Sequence, residues 1–361
     1  MKTNSLSVKD SIAPTVAEPK LSLVEKALPL NVLICMIAGL LLGTFAPGIA
    51  EHLEIGIPIG LFAMIYPVMV RIRFEDLRKA FLSPRQLAVV AIFNYGINPF
   101  TLYLLSIIFL RNQPEIQAGL ILLGIAPCIA MVLVWNMLSK GNNALAIVLV
   151  AFNSIIQTLT IPLYILLLLG ASMQVPIDLI ATSVFLYLGL PLSLGYLTRR
   201  TLVNRKGEPW YEERFLHYMQ PVALIGLLFT LVVMFSLKGD VILQNPMMVA
   251  LMATPLVIFF FLKYFLILFI GYKLKFNYGD AVAVAYNATG RNFEIAIAIA
   301  LTAFSATTAV ATVIGPLIEV PLMLSLVYIT LWLRKRVWKI ETKQIYKMAE
   351  PSIDSATPSE R

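Results

Sequence analysis

The chain has 361 residues, of which 59% are hydrophobic and only 13% charged, and its formal net charge is +8. Soluble domains run nearer about 45–50% apolar and about 25% charged. An ordinary water-soluble enzyme is therefore excluded, because so little charge cannot cover its surface, and disorder is excluded for most of the chain. The apolar residues come in runs of roughly 20, the length that spans a hydrocarbon core of about 30 Å. The sequence reads as an all-α polytopic membrane protein.

Residues 1–26 are polar and mixed, with Pro14 and Pro19 among several charges. They lack the short apolar core and small-residue cleavage site of a signal peptide and read as a disordered tail. Ten apolar segments follow, near 27–45, 55–70, 87–110, 117–138, 144–169, 178–198, 221–236, 246–272, 280–304 and 308–333. The second and seventh are short for a span. The stretch 336–361 is again polar and tail-like.

The basic residues orient these segments. With both ends in the cytoplasm, 24 of the 28 Lys and Arg residues fall on the cytoplasmic side and only Arg111 and Lys238 fall outside. Lys263 and Arg291 lie within spans. That asymmetry follows the positive-inside rule, and dropping one span would scramble it. The +8 charge thus reports topology and contact with lipid, and no nucleic-acid partner is implied.

Ten spans divide into two halves of five, about 27–170 and 178–333. An odd number per half inverts the second relative to the first, the inverted-repeat plan of many secondary transporters. The irregularities correspond. The fourth span breaks at Gly124-Ile125-Ala126-Pro127-Cys128, and the ninth at Asn287-Ala288-Thr289-Gly290-Arg291-Asn292. The fifth reads Asn153-Ser154-Ile155-Ile156-Gln157 where the tenth reads Gly315-Pro316-Leu317-Ile318-Glu319, so that Gln157 falls on Glu319. Interrupted helices survive in lipid where they line a protected or wet cavity, and two breaks in matching places point to a substrate site near the midplane.

Several residues at these breaks can carry chemistry. Cys128 is either a small buried hydrophobe or a soft ligand for a metal or metalloid centre. Cys35, away from any break, reads as the former. The two cysteines support no disulfide framework, and the two histidines, His52 and His217, have no metal-ligand spacing around them. A carboxylate at the depth of Glu319 costs roughly 2.5–3.5 kcal/mol on insertion scales and marks function by default. It can carry a proton. Arg291 and Glu294 are three apart, so they can meet on one helical face, which would neutralise both charges inside the membrane. They form either a structural lock or a proton switch in which Arg291 alternates between Glu294 and Glu319. The amides Asn94, Asn98, Asn136, Asn153, Gln157, Asn287 and Asn292 either satisfy freed backbone groups or bind substrate. Trp135 suits a membrane interface, and Lys263 reads as a snorkelling lysine.

Three stretches carry a resemblance. They are Leu123-Gly-Ile-Ala-Pro-Cys-Ile-Ala-Met-Val-Leu-Val-Trp-Asn136 with Lys140-Gly141 and Ala151-Phe-Asn-Ser154, then Arg291-Asn-Phe-Glu-Ile-Ala-Ile-Ala-Ile-Ala300, then Val313-Ile-Gly-Pro-Leu-Ile-Glu-Val-Pro321. Together with Tyr66-Pro-Val-Met-Val-Arg-Ile-Arg-Phe74 they resemble the arsenite efflux permeases of the arsenical-resistance type, over about residues 27–335. The resemblance implies the ten-span fold shared with the bile acid/sodium symporters, with the broken fourth and ninth helices crossing near the midplane. It implies export of arsenite, with antimonite as a further cargo, driven by the proton gradient across the cell membrane. It places the family's essential cysteine on Cys128, as the ligand of trivalent arsenic, and its essential carboxylate on Glu319. Asn153, Gln157 and Asn292 then become candidates for the arsenite hydroxyls, and Glu319, Glu294 and Arg291 for proton coupling. No cofactor is implied, and no enzyme activity. Two departures bear on cargo and coupling ion. Thr289-Gly290 resembles the sodium-coupled bile acid branch, and Lys140-Gly141-Asn142 lacks the usual acidic third residue. Sodium-coupled uptake of an organic anion on the same fold is the alternative, and a membrane receptor without transport is a third reading.

Overall fold

A computed structural model describes residues 28–73, 82–170, 177–244 and 246–338. Both expected tails lie almost wholly outside these residues, as do the basic residues Arg78 and Lys79. Among the described residues every regular element is helical, and the one pairing of extended backbone is an isolated antiparallel bridge between Pro127 and Arg291.

In chain order the helices are α1 (Leu28–Phe45), α2 (Pro47–Glu54), α3 (Ile57–Met69), α4 (Pro84–Leu110), α5 (Pro114–Ile125), α6 (Met131–Leu138) and α7 (Asn143–Leu169). Helix α8 runs as Ile177–Val184, Phe185–Gly189 and Leu190–Lys206, and α9 as Glu208–Trp210, Tyr211–Phe215 and Leu216–Gln244. The last four are α10 (Pro246–Lys273), α11 (Tyr278–Thr289), α12 (Phe293–Ala303) and α13 (Ala306–Arg336). Six helices, α4, α7, α8, α9, α10 and α13, are long and apolar enough to cross a membrane. Leu30–Phe45, α3, α5 and α12 are shorter apolar helices. The short segment expected at 221–236 belongs to the much longer α9.

Local sequence explains where helices start and widen. Asn142, Asn277 and Asn292 cap α7, α11 and α12, each side-chain oxygen accepting the N–H three residues on. Helices α4 and α8 each widen to a π turn, at Ile92–Ile97 and Phe185–Gly189, just before Pro99 and Pro191. Proline has no N–H to give and its ring crowds the preceding turn, so the chain takes up the misfit as a π turn.

The helices pack in two groups. In one, α9 lies along α1 and α3, and α8 lies against α3. Small residues permit this closeness. A Cβ added at Gly43 would sit 2.1 Å from the Ser236 carbonyl oxygen, and one at Gly39 would sit 2.5 Å from that of Val232. An ion cluster fastens the same group beyond the end of α3. Arg73 meets Glu212 at 2.7 Å and Glu208 at 3.3 Å, and Arg199 meets Glu208 at 2.6 Å and Glu212 at 3.1 Å. The Tyr211 hydroxyl donates to the Val70 carbonyl at 2.8 Å. In the other group α4 packs on α5, α10 on α11, α5 and α12 on α13, and α7 on α11. Leu104, Ile108, Leu159 and Leu163 lie exposed on the outside of this group, as a lipid-facing surface requires.

Candidate functional site

The two expected breaks meet. Helix α5 ends at Ile125 and α6 starts at Met131. Helix α11 ends at Thr289 and α12 starts at Phe293. Where the two interruptions pass, the backbone N–H of Cys128 donates to the Gly290 carbonyl at 3.0 Å, and that of Asn292 donates to the Ala126 carbonyl at 2.8 Å. The freed polar groups of each unwound stretch thus satisfy those of the other, which is the condition for irregular backbone at membrane depth.

Four half-helix ends converge on this bridge, and they sort by polarity. The carbonyl ends of α5 and α11, carrying negative partial charge, face the Arg291 guanidinium. Its Nε donates to Thr289 O at 3.0 Å and its Nη1 to Gly124 O at 3.2 Å. Its Nη2 donates to Ala288 O at 3.1 Å and to Asn94 Oδ1 at 2.5 Å. The N–H ends of α6 and α12 face the other potential ligands. The Cys128 sulfur lies against the N–H groups of Ala130 and Val132 at the start of α6, with Glu319 and Glu294 in electrostatic reach. Glu319, between Pro316 and Pro321 of α13, accepts the Arg291 backbone N–H on Oε1 at 3.3 Å. A Cβ built on Gly290 would come within 3.1 Å of Cys128 Cβ and 3.7 Å of Glu319 Oε1, so glycine there lets thiol and carboxylate approach one another. Cys128, Arg291, Asn292, Glu294 and Glu319 are all buried.

The expected Arg291–Glu294 pair on one helical face is not formed. Asn292 is the cap of α12 and Arg291 precedes it, so the three-residue spacing does not describe a helix face. The guanidinium is occupied by carbonyls and by Asn94, and Oε1 of Glu294 has no hydrogen-bond partner. The amides divide likewise. Asn94 donates to Asn287 O at 2.9 Å and Asn153 Oδ1 at 3.2 Å, and Asn98 donates to Ala288 O at 2.7 Å. Asn153 is therefore held within a network that supports the end of α11, with the Tyr95 hydroxyl also donating to it. In Gln157, by contrast, both amide atoms are buried without a partner, and so are Asn292 Nδ2 and Thr289 Oγ1. Buried polar groups left open in this way await a ligand, a water or an ion.

A cavity of about 450 Å³ leads away from the crossing between α3, α6 and α9. Glu294, Ala130 and Met131 line its inner end, and Arg71 and His217 line it near the ion cluster. Met64 and Met137 contribute to its largely apolar wall. Two residues sit elsewhere than their chemistry suggests. Trp135 is wholly buried instead of lying at an interface, and Lys263 is buried with its ammonium 5.6 Å from the Phe93 ring instead of snorkelling outward. Cys35 lies part-buried in α1, away from the crossing. Among the described residues no three or more His, Cys, Asp and Glu side chains gather into a metal-binding group. The carbonyl cage around Arg291 has no side-chain signal in the sequence. Only the break itself points to it.

A helical membrane protein whose interrupted helices cross at a buried polar site has the plan of a secondary transporter. The chain belongs to the sodium bile acid symporter family, whose model matches residues 58–245. Among its relatives are arsenical-resistance proteins Acr3 of Corynebacterium glutamicum and Alkaliphilus metalliredigens. Both are 37% identical, over 90% and 85% of this chain and 93% and 92% of theirs. An uncharacterised transporter of Synechocystis is 40% identical over 86% of this chain and 88% of its own.

Proposed function

We propose that this protein exports arsenite from the cytoplasm in exchange for protons and so confers arsenic resistance, with antimonite as a second cargo. The observation that carries this reading is the convergence of a buried thiol, a carboxylate and the unpartnered polar atoms of Thr289 and Asn292 at the crossing, in a chain similar over 90% of its length to an Acr3 protein. At neutral pH arsenite is a small uncharged trihydroxide. Selecting it takes a soft donor for arsenic and hydrogen-bonding groups for its hydroxyls. Cys128 is the soft donor. Gln157 offers a free donor and acceptor and Asn292 a free donor, and Asn153 holds the end of α11 in place. A single thiol keeps binding weak enough for release.

Glu319 and Glu294 exchange protons as the site alternates its access, and Arg291 holds the crossing together. The cavity lined by Glu294 is the route from the cytoplasmic side, since it ends beside Arg71 and the ion cluster. This plan takes ten membrane crossings. The six long helices supply six, and α1, α3 and the interrupted pairs α5–α6 and α11–α12 supply four. The halves 27–170 and 178–333 form the inverted repeats, flanked by the tails 1–26 and 336–361. Both termini are cytoplasmic and the membrane is the cell membrane. The sodium-coupled anion reading has less support, because no observation of the site favours an organic anion over arsenite. Accumulation of arsenite by everted vesicles, with and without an imposed proton gradient, tests the proposal. Accumulation that needs the gradient supports it. Arsenite movement that needs sodium and ignores protons refutes it.

A further inference from the structure

The family takes its name from sodium, yet at the crossing a cage of oxygens suited to a cation is already filled by the protein's own side chain. The Arg291 guanidinium sits among three carbonyl oxygens, of Gly124, Ala288 and Thr289, and the amide oxygen of Asn94, at 2.5–3.2 Å. Neutral oxygens of this kind, backbone carbonyls above all, replace the hydration shell of an alkali cation. Two helix carbonyl ends, of α5 and α11, add their negative partial charge, and half-helix ends with unwound carbonyls are where transporters hold coupling cations. The Phe259 ring faces the guanidinium at 5.7 Å. None of the ion pairs among the described residues includes Arg291. Its nearest carboxylate contact, from Glu319, goes to its backbone N–H. The guanidinium is thus held as a cation in an oxygen cage, with Glu319 in electrostatic reach but not paired with it at contact distance.

We propose that Arg291 is a tethered internal cation that occupies a latent sodium site, and that its presence makes the protein independent of sodium. An arginine is charged throughout the working pH range, so the cage stays filled in every cycle and no alkali cation enters or leaves it. The carbonyl ends of α5 and α11 are then compensated permanently, and proton exchange on the carboxylates is left as the coupling event. Removing the side chain uncovers four oxygens, of which Ala288 O and Asn94 Oδ1 each keep one bond from Asn98, and sodium takes them. This inference concerns the coupling ion and stands on the geometry of the crossing. It would hold for a cargo other than arsenite.

The test uses purified full-length protein and needs no arsenite. Thermal unfolding and equilibrium binding of radioactive sodium are measured in sodium chloride and in choline chloride of equal ionic strength, for wild type, Arg291→Lys and Arg291→Ala. Wild type and Arg291→Lys, which both keep a tethered cation, are expected to show no sodium-specific change in Tm and no saturable sodium binding. Arg291→Ala is expected to be less stable in choline and to regain roughly 2 °C in Tm at a sodium concentration about tenfold above its Kd. Saturable sodium binding by the wild type overturns the proposal. So does an Arg291→Ala protein that is folded but equally stable in both salts, or one that cannot be obtained folded in either.

Discussion

Replacing Cys128 by Ser separates the thiol's chemistry from its place in the fold. The sulfur is buried against the N–H groups of Ala130 and Val132 and beside Gly290. A serine oxygen fills nearly the same space and still accepts from those N–H groups, so the crossing keeps its packing and its backbone bridge. Burying a hydroxyl in place of the thiol costs about 1–3 kcal/mol, less where the N–H groups of α6 compensate it. Alanine removes one heavy atom outright, worth about 0.8 kcal/mol of transfer plus a small cavity term. Neither loss approaches what unfolds a protein of this size, and a drop in Tm of a few degrees is expected. The softness of the donor, however, is gone in both variants. If the arsenic–sulfur contact supplies even 1.4 kcal/mol, affinity falls about tenfold. Arsenite efflux from loaded cells is therefore expected to fall at least tenfold for Cys128→Ser and Cys128→Ala, with membrane protein levels and thermal stability near wild type. Wild-type efflux by a folded Cys128→Ser protein would refute the thiol's role.

Other consequences follow from the same geometry. Gln157→Leu removes two buried polar atoms that have no partner. The variant is expected to be as stable as wild type or more so, by up to about 1 kcal/mol, yet to transport arsenite poorly. Loss of both stability and transport would mean that Gln157 holds the fold and not the cargo. Gly43→Leu drives a side chain into the Ser236 backbone, where even a Cβ would lie at 2.1 Å. Folded protein yield is expected to collapse, as judged by fluorescence-detected gel filtration, whereas Gly48→Ala, with open space around it, is expected to be silent. Glu212→Gln weakens two contacts in the ion cluster, to Arg73 and Arg199. Because Glu212 and Arg73 are partly exposed, the loss is expected to be about 1 kcal/mol and to shrink further in high salt.

The helical, membrane-spanning character of the chain and both helix breaks were legible in the sequence, because apolar length and the residues Pro127 and Gly290 act locally. The crossing itself was legible only through a family resemblance. Its core joins Asn94, Gly124, Ala288 and Arg291, whose meeting depends on how distant helices pack. The pairing of Arg291 with Glu294 was misread for a definite reason. Three-residue spacing brings side chains together only inside a helix, and Asn292 caps α12 between them. Trp135 and Lys263 were misplaced because interface and snorkelling preferences assume contact with lipid, and both are enclosed by neighbouring helices. Among the amides, nothing local distinguishes Asn153, tied into the α4–α11 network, from Gln157, left without partners. That difference lies in what each faces.

The most direct test of proton-coupled export is proton movement driven by arsenite. Proteoliposomes loaded with a pH-sensitive dye are given an arsenite gradient in sodium-free buffer, with wild type and Glu319→Gln compared. Wild type is expected to move protons against the direction of arsenite flow, and Glu319→Gln, folded and inserted equally well, to move none. Arsenite flow without any pH change in wild type, or unchanged proton movement in Glu319→Gln, would contradict the proposed role of the crossing.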